Sequence, residues 1–166
     1  LALLWKLESH LLQVYEKRKS PSFDGRFIIS ESDGSYLQEH GVGPLDLLLN
    51  GVDTEFFDRR GDRAPEYELV FVGNMSYHPN ILAAHYLIEK VAIPLKKLIP
   101  GLRVLIAGAA PAPSLEKINL DWITVSGYVE DIRDAYQSGK VFVAPIFAGS
   151  GMQNKILEAM AMGLPC

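Results

Sequence analysis

The hydrophobic and polar positions change period along the chain, and the changes mark the elements. Over residues 1–18, Leu3, Leu4, Leu7, Leu11 and Val14 recur at helical spacing, with Lys6, Glu8, Gln13, Glu16, Lys17 and Arg18 between them. This predicts an amphipathic helix with one apolar stripe. Ser20-Pro21-Ser22 ends it, and 26–30 then predicts a short buried strand. Ser32 or Asp33 offers a cap for a brief helix that runs through Glu39 and stops at Gly41, and 45–49 predicts a second short strand. Helix, strand, helix and strand fit the tail of a Rossmann-like domain whose earlier strands are not in this sequence.

A charged, aperiodic stretch, 59–66, reads as a linker. Beyond it strands and helices alternate regularly. Strands are expected at 68–72, 103–107, 122–125 and 141–145. The first leads through the loop 73–78 into a helix from Pro79 towards Leu98, with Ile81, Leu82, Tyr86 and Leu87 for the core and a bend at Pro94. A short helix from Ser114 follows the second strand, and a helix ending near Gly139 follows the third. The fold class is therefore α/β, a Rossmann-like doubly wound parallel sheet, truncated and preceded by a partial Rossmann-like domain. The divisions fall at 1–58, 59–66 and 67–166. Such sheets place ligands at the carboxyl ends of their strands, so the loops there should converge on one site.

The stretch from Gly149 to Pro165 concentrates the chemistry. A helix opening on Ser150 and Gly151 offers a capping hydroxyl, unpaired backbone N–H groups and the positive end of the helix dipole, an anion site suited to a diphosphate. Helical spacing puts Ile156, Leu157, Met160, Ala161 and Leu164 in one apolar arc and Gly151, Asn154, Lys155 and Glu158 opposite. On this reading the second set faces a cleft, where Lys155 neutralises a phosphate and Glu158 accepts from a pair of hydroxyls such as those of a ribose. The bland alternative is a solvated polar face with an ordinary serine cap.

The totals narrow the classes. With 166 residues, 48% hydrophobic and 22% charged, the chain can bury the core of one α/β domain and part of another. A net charge of -4 argues against general nucleic-acid binding. The single cysteine, Cys166, excludes an internal disulfide or a cysteine-based metal cluster, and His10, His40, His78 and His85 lack metal-ligand spacing. No apolar run reaches the roughly 18 residues of a membrane span. A reducing, cytoplasmic setting is expected. Leu1 already lies inside a helical pattern and Cys166 falls where another strand would start, so a fragment of a longer polypeptide is expected.

The segment Leu157-Glu158-Ala159-Met160-Ala161-Met162-Gly163-Leu164-Pro165 resembles the donor-binding motif of GT-B retaining glycosyltransferases of the GT4 group, also called group 1. In its Gly-Ser-Gly-Met-Gln-Asn-Lys opening it is similar to bacterial exopolysaccharide sugar transferases. The resemblance gives Glu158 the place of the motif's second glutamate, which binds the ribose of the nucleotide sugar. The first glutamate's place holds Ser150. The family's Gly-Arg loop appears here as Gly73 and Asn74, and the position of its later lysine holds Pro79, so that cationic pair is missing. Asn50-Gly51-Val52-Asp53 is similar to the element found where the chain leaves the family's acceptor domain. Gly108 occupies a cleft-lining glycine position, and the segment around Gly127, Tyr128 and Val129 resembles the part that grips the nucleobase through backbone atoms.

The resemblance implies transfer of a sugar, with retention, from a nucleotide diphosphate sugar to a glycan or lipid-linked acceptor in polysaccharide biosynthesis. It implies donor-binding residues Gly73, Asn74, Gly108, Gly127, Tyr128, Val129, Ser150, Gly151, Met152, Lys155 and Glu158, with no bound metal, no cofactor and no nucleic-acid partner. The catalytic residues are expected in a missing N-terminal part, which leaves room for peripheral membrane contact there, and the fragment alone is expected to be inactive. The competing readings are a GT-B nucleotide-sugar epimerase and a non-catalytic binding module on the same scaffold.

Overall fold

The computed structural model describes residues 2–61, 63–147 and 152–166. It divides into two compact units, one reaching to Asn50 and the other running from Gly51 through the sheet and resuming at Gln153.

In the first unit, helix α1 spans Ala2–Lys19 and ends on Lys17, Arg18 and Lys19, cations that complement the negative end of its dipole. None of its described residues is buried. Strand β1, Phe27–Ile28, pairs in parallel with β2, Asp46–Leu47, across the crossover helix α2, Glu31–Glu39. The cap of α2 is Ser30, whose hydroxyl accepts from Asp33 N–H at 3.4 Å, rather than Ser32 or Asp33. Gly41, at φ +81°, takes the left-handed turn that stops the chain from continuing as helix. Both strands are shorter than their apolar runs suggested. Among the described residues they have only each other to pair with.

The second unit is built on four parallel strands: β3 (Tyr67–Val72), β4 (Val104–Ala107), β5 (Ile123–Gly127) and β6 (Gly139–Phe142), in the order β5-β4-β3-β6. Val70, Phe71, Val104 and Ile106 are wholly buried, which is why these strands read as continuous apolar runs with no alternation. β6 begins two residues before its apolar run and ends at Phe142, although Val143 still donates to Val70 C=O at 2.9 Å. The remaining helices are α3 (His78–Tyr86), α4 (Ile93–Lys96), α5 (Pro113–Glu116), α6 (Ile132–Gln137) and α7 (Asn154–Ala161). Between α3 and α4, Leu87–Ala92 winds with π geometry. The wider turn accommodates Pro94, which lacks an N–H and would crowd the carbonyl one turn back. The buried face of this helical run is Asn80, Ala83, Ala84, Leu87 and Ile88; Leu82 and Tyr86, expected in the core, are exposed. Small alanines let the first turns of the helix approach the sheet closely, while Leu82 and Tyr86 point away.

The sequence placed residues 51–58 with the first domain, whereas their contacts are with the second unit. Arg133, 9% exposed, donates to the Phe56 carbonyl at 2.9 Å, and its guanidinium lies 3.9 Å from the Phe56 ring centroid. Phe57 meets Tyr136 edge to face. The linker is held as well: Gln137 donates to the carbonyls of Arg60 at 2.7 Å and Gly61 at 3.2 Å, and Arg60 pairs with Asp131 at 2.9 Å. No described helix is long and apolar enough to cross a membrane.

Candidate functional site

The strand order reverses direction at β3, with β4 and β5 on one side and β6 on the other. Crossovers from β3 and from β6 therefore leave on opposite faces and open a crevice between their carboxyl ends, the usual ligand position in a doubly wound sheet. The loop after β3 and the segment leading into α7 flank that crevice.

The loop after β3 is held by the end of β4 and by its own atoms. Gly73 N–H donates to Ala107 C=O at 3.0 Å, Met75 N–H to Ala109 C=O at 2.9 Å, and the Met75 side chain is fully buried. Asn74 is exposed, but its Oδ1 already accepts from Ser76 N–H at 3.0 Å and from the Ser76 hydroxyl at 2.8 Å, an Asx turn. His78 is the first residue of α3, not its cap; Tyr77 occupies that position, and no side chain caps the helix. Gly108 is needed for packing: a Cβ there would stand 1.7 Å from the Gly73 carbonyl oxygen, and its φ is +144°. Gly73 and Gly108 thus let two strand ends meet.

The loop after β5 presents Gly127 at φ +69°, with open space where a Cβ would project, and Tyr128, 76% exposed. Val129 packs partly against the core. Gly127 C=O accepts from Gly108 N–H at 3.0 Å, which joins this loop to the preceding one. Pro111, Leu115, Val125 and Ser126 line a surface pocket beside Gly127. Asp131 is the cap of α6, accepting from Arg133 N–H at 3.1 Å.

Helix α7 departs from the expected geometry. Ser150 and Gly151 lie outside the described residues, but Met152 and Gln153 are not helical, and the helix opens at Asn154 with an extended Gln153 as its cap residue and no side-chain cap. The helix therefore starts at Asn154, later than the sequence placed it. The helix is only partly rotated from the expected arc. Leu164 is buried and Ile156 packs against the core as expected, but Met160 is 60% exposed while Ala159 and Met162 are buried, so the inward face extends to the half-buried Lys155 and Glu158. Two charged residues can turn inward because polar partners wait for them.

Those partners are Asn80 and Tyr136. Lys155 Nζ donates to Asn80 Oδ1 at 2.6 Å and lies 5.5 Å from the Phe71 ring centroid. Burial pushes the Lys155 ammonium below the ordinary lysine range, with nearby Glu158 offsetting part of that shift. The fully buried Tyr136 donates its hydroxyl to Glu158 Oε2 at 2.6 Å, and burial followed by this bond pushes the phenol well above its usual value. The carboxylate is thereby oriented through one oxygen. Asn80, 4% exposed, also donates from Nδ2 to Asn74 C=O at 2.9 Å.

The structure thus joins Gly73, Asn74 and Lys155 through Asn80, and Glu158 to α6 through Tyr136. Gly108 and Gly127 form the adjoining loop pair. Asn80 and Tyr136 were not foreseen as site residues. Asn80 follows a proline at a helix start and Tyr136 reads as an ordinary core aromatic, so only their contacts distinguish them. Among the described residues, no three His, Cys, Asp or Glu side chains are grouped as a metal would require.

Comparison with solved structures supports the fold. The chain is similar to HepE from Anabaena, crystallised in complex with UDP and glucose, at 14% identity and a TM-score of 0.70 over 93% of this chain and 46% of that one. It is similar to TarM at 16% identity and a TM-score of 0.72, over 92% of this chain and 31% of TarM. A TarM mutant of S. aureus, in complex with fondaparinux, alpha-GlcNAc-glycerol and UDP, gives 16% identity and a TM-score of 0.71 over the same shares, 92% and 31%. The chain spans less than half the length of each of these structures. No curated protein sequence matches it. The family model of the group 1 glycosyl transferases matches residues 66–166, the sheet and all its loops, and the chain belongs to that family.

Proposed function

We propose that this chain is the donor-binding part of a retaining glycosyltransferase, which moves a sugar from a nucleotide diphosphate sugar to a glycan or lipid-linked acceptor in polysaccharide biosynthesis. The observation that carries the reading is the placement of Lys155 and Glu158, side by side on the inward face of α7, at the point where the strand order reverses. UDP in the complexes of HepE and TarM supports a nucleotide donor, and fondaparinux in the TarM complex supports a glycan acceptor.

In this reading the Lys155 ammonium faces the diphosphate and the Glu158 carboxylate accepts from the ribose hydroxyls. Tyr136 holds one carboxylate oxygen, which leaves the other to the ligand. As the bond to the sugar breaks, negative charge gathers on the departing diphosphate. A fixed ammonium in a partly dry crevice stabilises that charge more than it stabilises the intact donor, which is the condition for acceleration. Gly127, Tyr128 and Val129 would contact the base through backbone atoms, and Gly73 and Asn74 would border the phosphates. Gly108 lines the same crevice, and Ser150, Gly151 and Met152 complete the set.

Calorimetric titration with UDP, GDP and ADP tests the reading. One nucleotide should bind saturably, and Lys155→Ala and Glu158→Ala should each weaken it at least about tenfold, ~1.4 kcal/mol. Binding that survives both changes unaltered would place the nucleotide elsewhere.

A further inference from the structure

The loop after β3 lacks the two cations that the resemblance leads one to expect, since Asn74 and Pro79 occupy their places. The positive charge assigned to the crevice therefore rests on Lys155, at the end of a flexible four-carbon stem. Such an amine contributes most to binding when its position is set beforehand, because ordering a free lysine costs side-chain entropy. Something must hold it without cancelling its charge.

Asn80 meets both conditions. It is 4% exposed, and its amide occupies the space that a Cβ on Gly73 would enter, 2.8 Å from Nδ2. Nδ2 donates to Asn74 C=O at 2.9 Å, which directs Oδ1 away from that loop and towards α7. There Oδ1 accepts from Lys155 Nζ at 2.6 Å. A carboxylate in the same place would form an ion pair and spend the charge. An amide takes one of the three N–H donors of the ammonium and leaves the net charge intact.

We propose that Asn80 is a positioning residue for donor binding, a neutral clamp that presets the Lys155 ammonium towards the diphosphate and ties it to the loop after β3. The inference rests on the donor-site reading above. It also gives Gly73 a second role: the absent side chain makes the space in which the Asn80 amide sits. Phe71, beneath the amine, provides an apolar floor with a favourable ring face.

A double-mutant cycle on this chain tests it, using whichever of UDP, GDP and ADP binds most tightly. Asn80→Ala should weaken binding about tenfold, while in a Lys155→Ala background the same change should cost no more than about twofold. A merely structural role for Asn80 would give equal losses in both backgrounds and overturns the proposal. Asn80→Asp, which preserves size, keeps the test alive if the alanine variant fails to fold. It should retain the melting temperature to within a few degrees and still lose affinity, because the new carboxylate neutralises Lys155; unchanged affinity overturns the proposal. If Lys155→Ala weakens binding but the Asn80 variants do not, only the clamp is lost. If no nucleotide binds, or if Lys155→Ala has no effect, the donor-site reading falls and the clamp falls with it.

Discussion

Helix α1 and helix α7 are both amphipathic in sequence, yet they meet opposite fates. α1 is eighteen residues long and buries none of them, leaving Leu3 81% and Trp5 67% exposed. α7 has eight residues, buries Ala159, and draws a lysine and a glutamate inward. The stripe of α1 is the longer of the two. What differs is the surroundings. The second unit offers a four-stranded sheet with both faces to cover, whereas the first has one pair of two-residue strands, and Val42 is its one buried hydrophobic among the described residues. An apolar stripe specifies a helix; a neighbouring surface decides what that helix buries. α7 shows the converse too, since polar groups enter a core once each has a partner.

The largest test of this contrast compares one aliphatic side chain from each unit. Ile106 is fully buried in β4 and Leu11 is 58% exposed on α1. Ile106→Ala removes packed methyl groups and leaves a cavity, at a cost of ~2–5 kcal/mol in chemical denaturation. Leu11→Ala should change stability by no more than about 0.5 kcal/mol, as surface substitutions do. Comparable losses at the two sites would mean that α1 is packed in solution, and the contrast would fail. Trp122 in the second unit and Trp5 on α1 provide separate fluorescence probes.

A smaller test uses glycines. Adding a Cβ at Gly108 puts a carbon 1.7 Å from the Gly73 carbonyl at φ +144°, so Gly108→Ala must push the ends of β3 and β4 apart. Strain and overpacking together should cost about 3 kcal/mol. In the first unit, a Cβ at Gly25 would meet only the Phe27 ring at 3.5 Å, an ordinary contact. Gly25→Ala should be neutral or stabilise slightly through the unfolded chain, by about 0.5 kcal/mol. Thermal melts of the two variants side by side read the difference, and a neutral Gly108→Ala would show that the strand ends are looser than their contacts imply.

How much of this was legible in the sequence depends on the range of the cause. The βα alternation, the parallel sheet and the arrest at Gly41 follow from local pattern and backbone chemistry, and each is present. The partial rotation of α7 was not legible, because helical spacing groups residues on faces without saying which face turns inward. Met160 lost that choice to Ala159 and Met162, since Asn80 and Tyr136, 75 and 22 residues away from Lys155 and Glu158, satisfy the charged side. The start of α7 at Asn154 was missed for a related reason: Ser and Gly permit a helix start but do not require one. The docking of Phe56 and Phe57 onto the second unit was not legible either, since it depends on Arg133 and Tyr136, far along the chain.

The smallest effect concerns the charge that α7 carries inward. Lysines on α1 keep their ammonium groups on an exposed helix, whereas Lys155 is half-buried against Phe71 and Asn80. Desolvation lowers the Lys155 pKa in the folded chain, and Glu158 opposes the shift without reversing it. In the unfolded chain the amine returns to the ordinary value of 10.5. Between the lowered folded value and 10.5 the unfolded chain binds more protons, so stability must rise with pH across that window and level off above it. Below the folded value, the penalty for burying the charge is present in full. Lys155→Met keeps the stem and removes the titration. Tyr136 stays protonated across the window, because burial and its bond to Glu158 raise its pKa, and Cys166 is common to both proteins. The wild-type stability minus that of the variant, measured by denaturant unfolding from neutral pH to beyond the ordinary lysine value, should therefore climb and then flatten above it. A flat difference would mean that the Lys155 amine sits in water, as the lysines of α1 do, and the contrast between the two helices would then rest on packing alone.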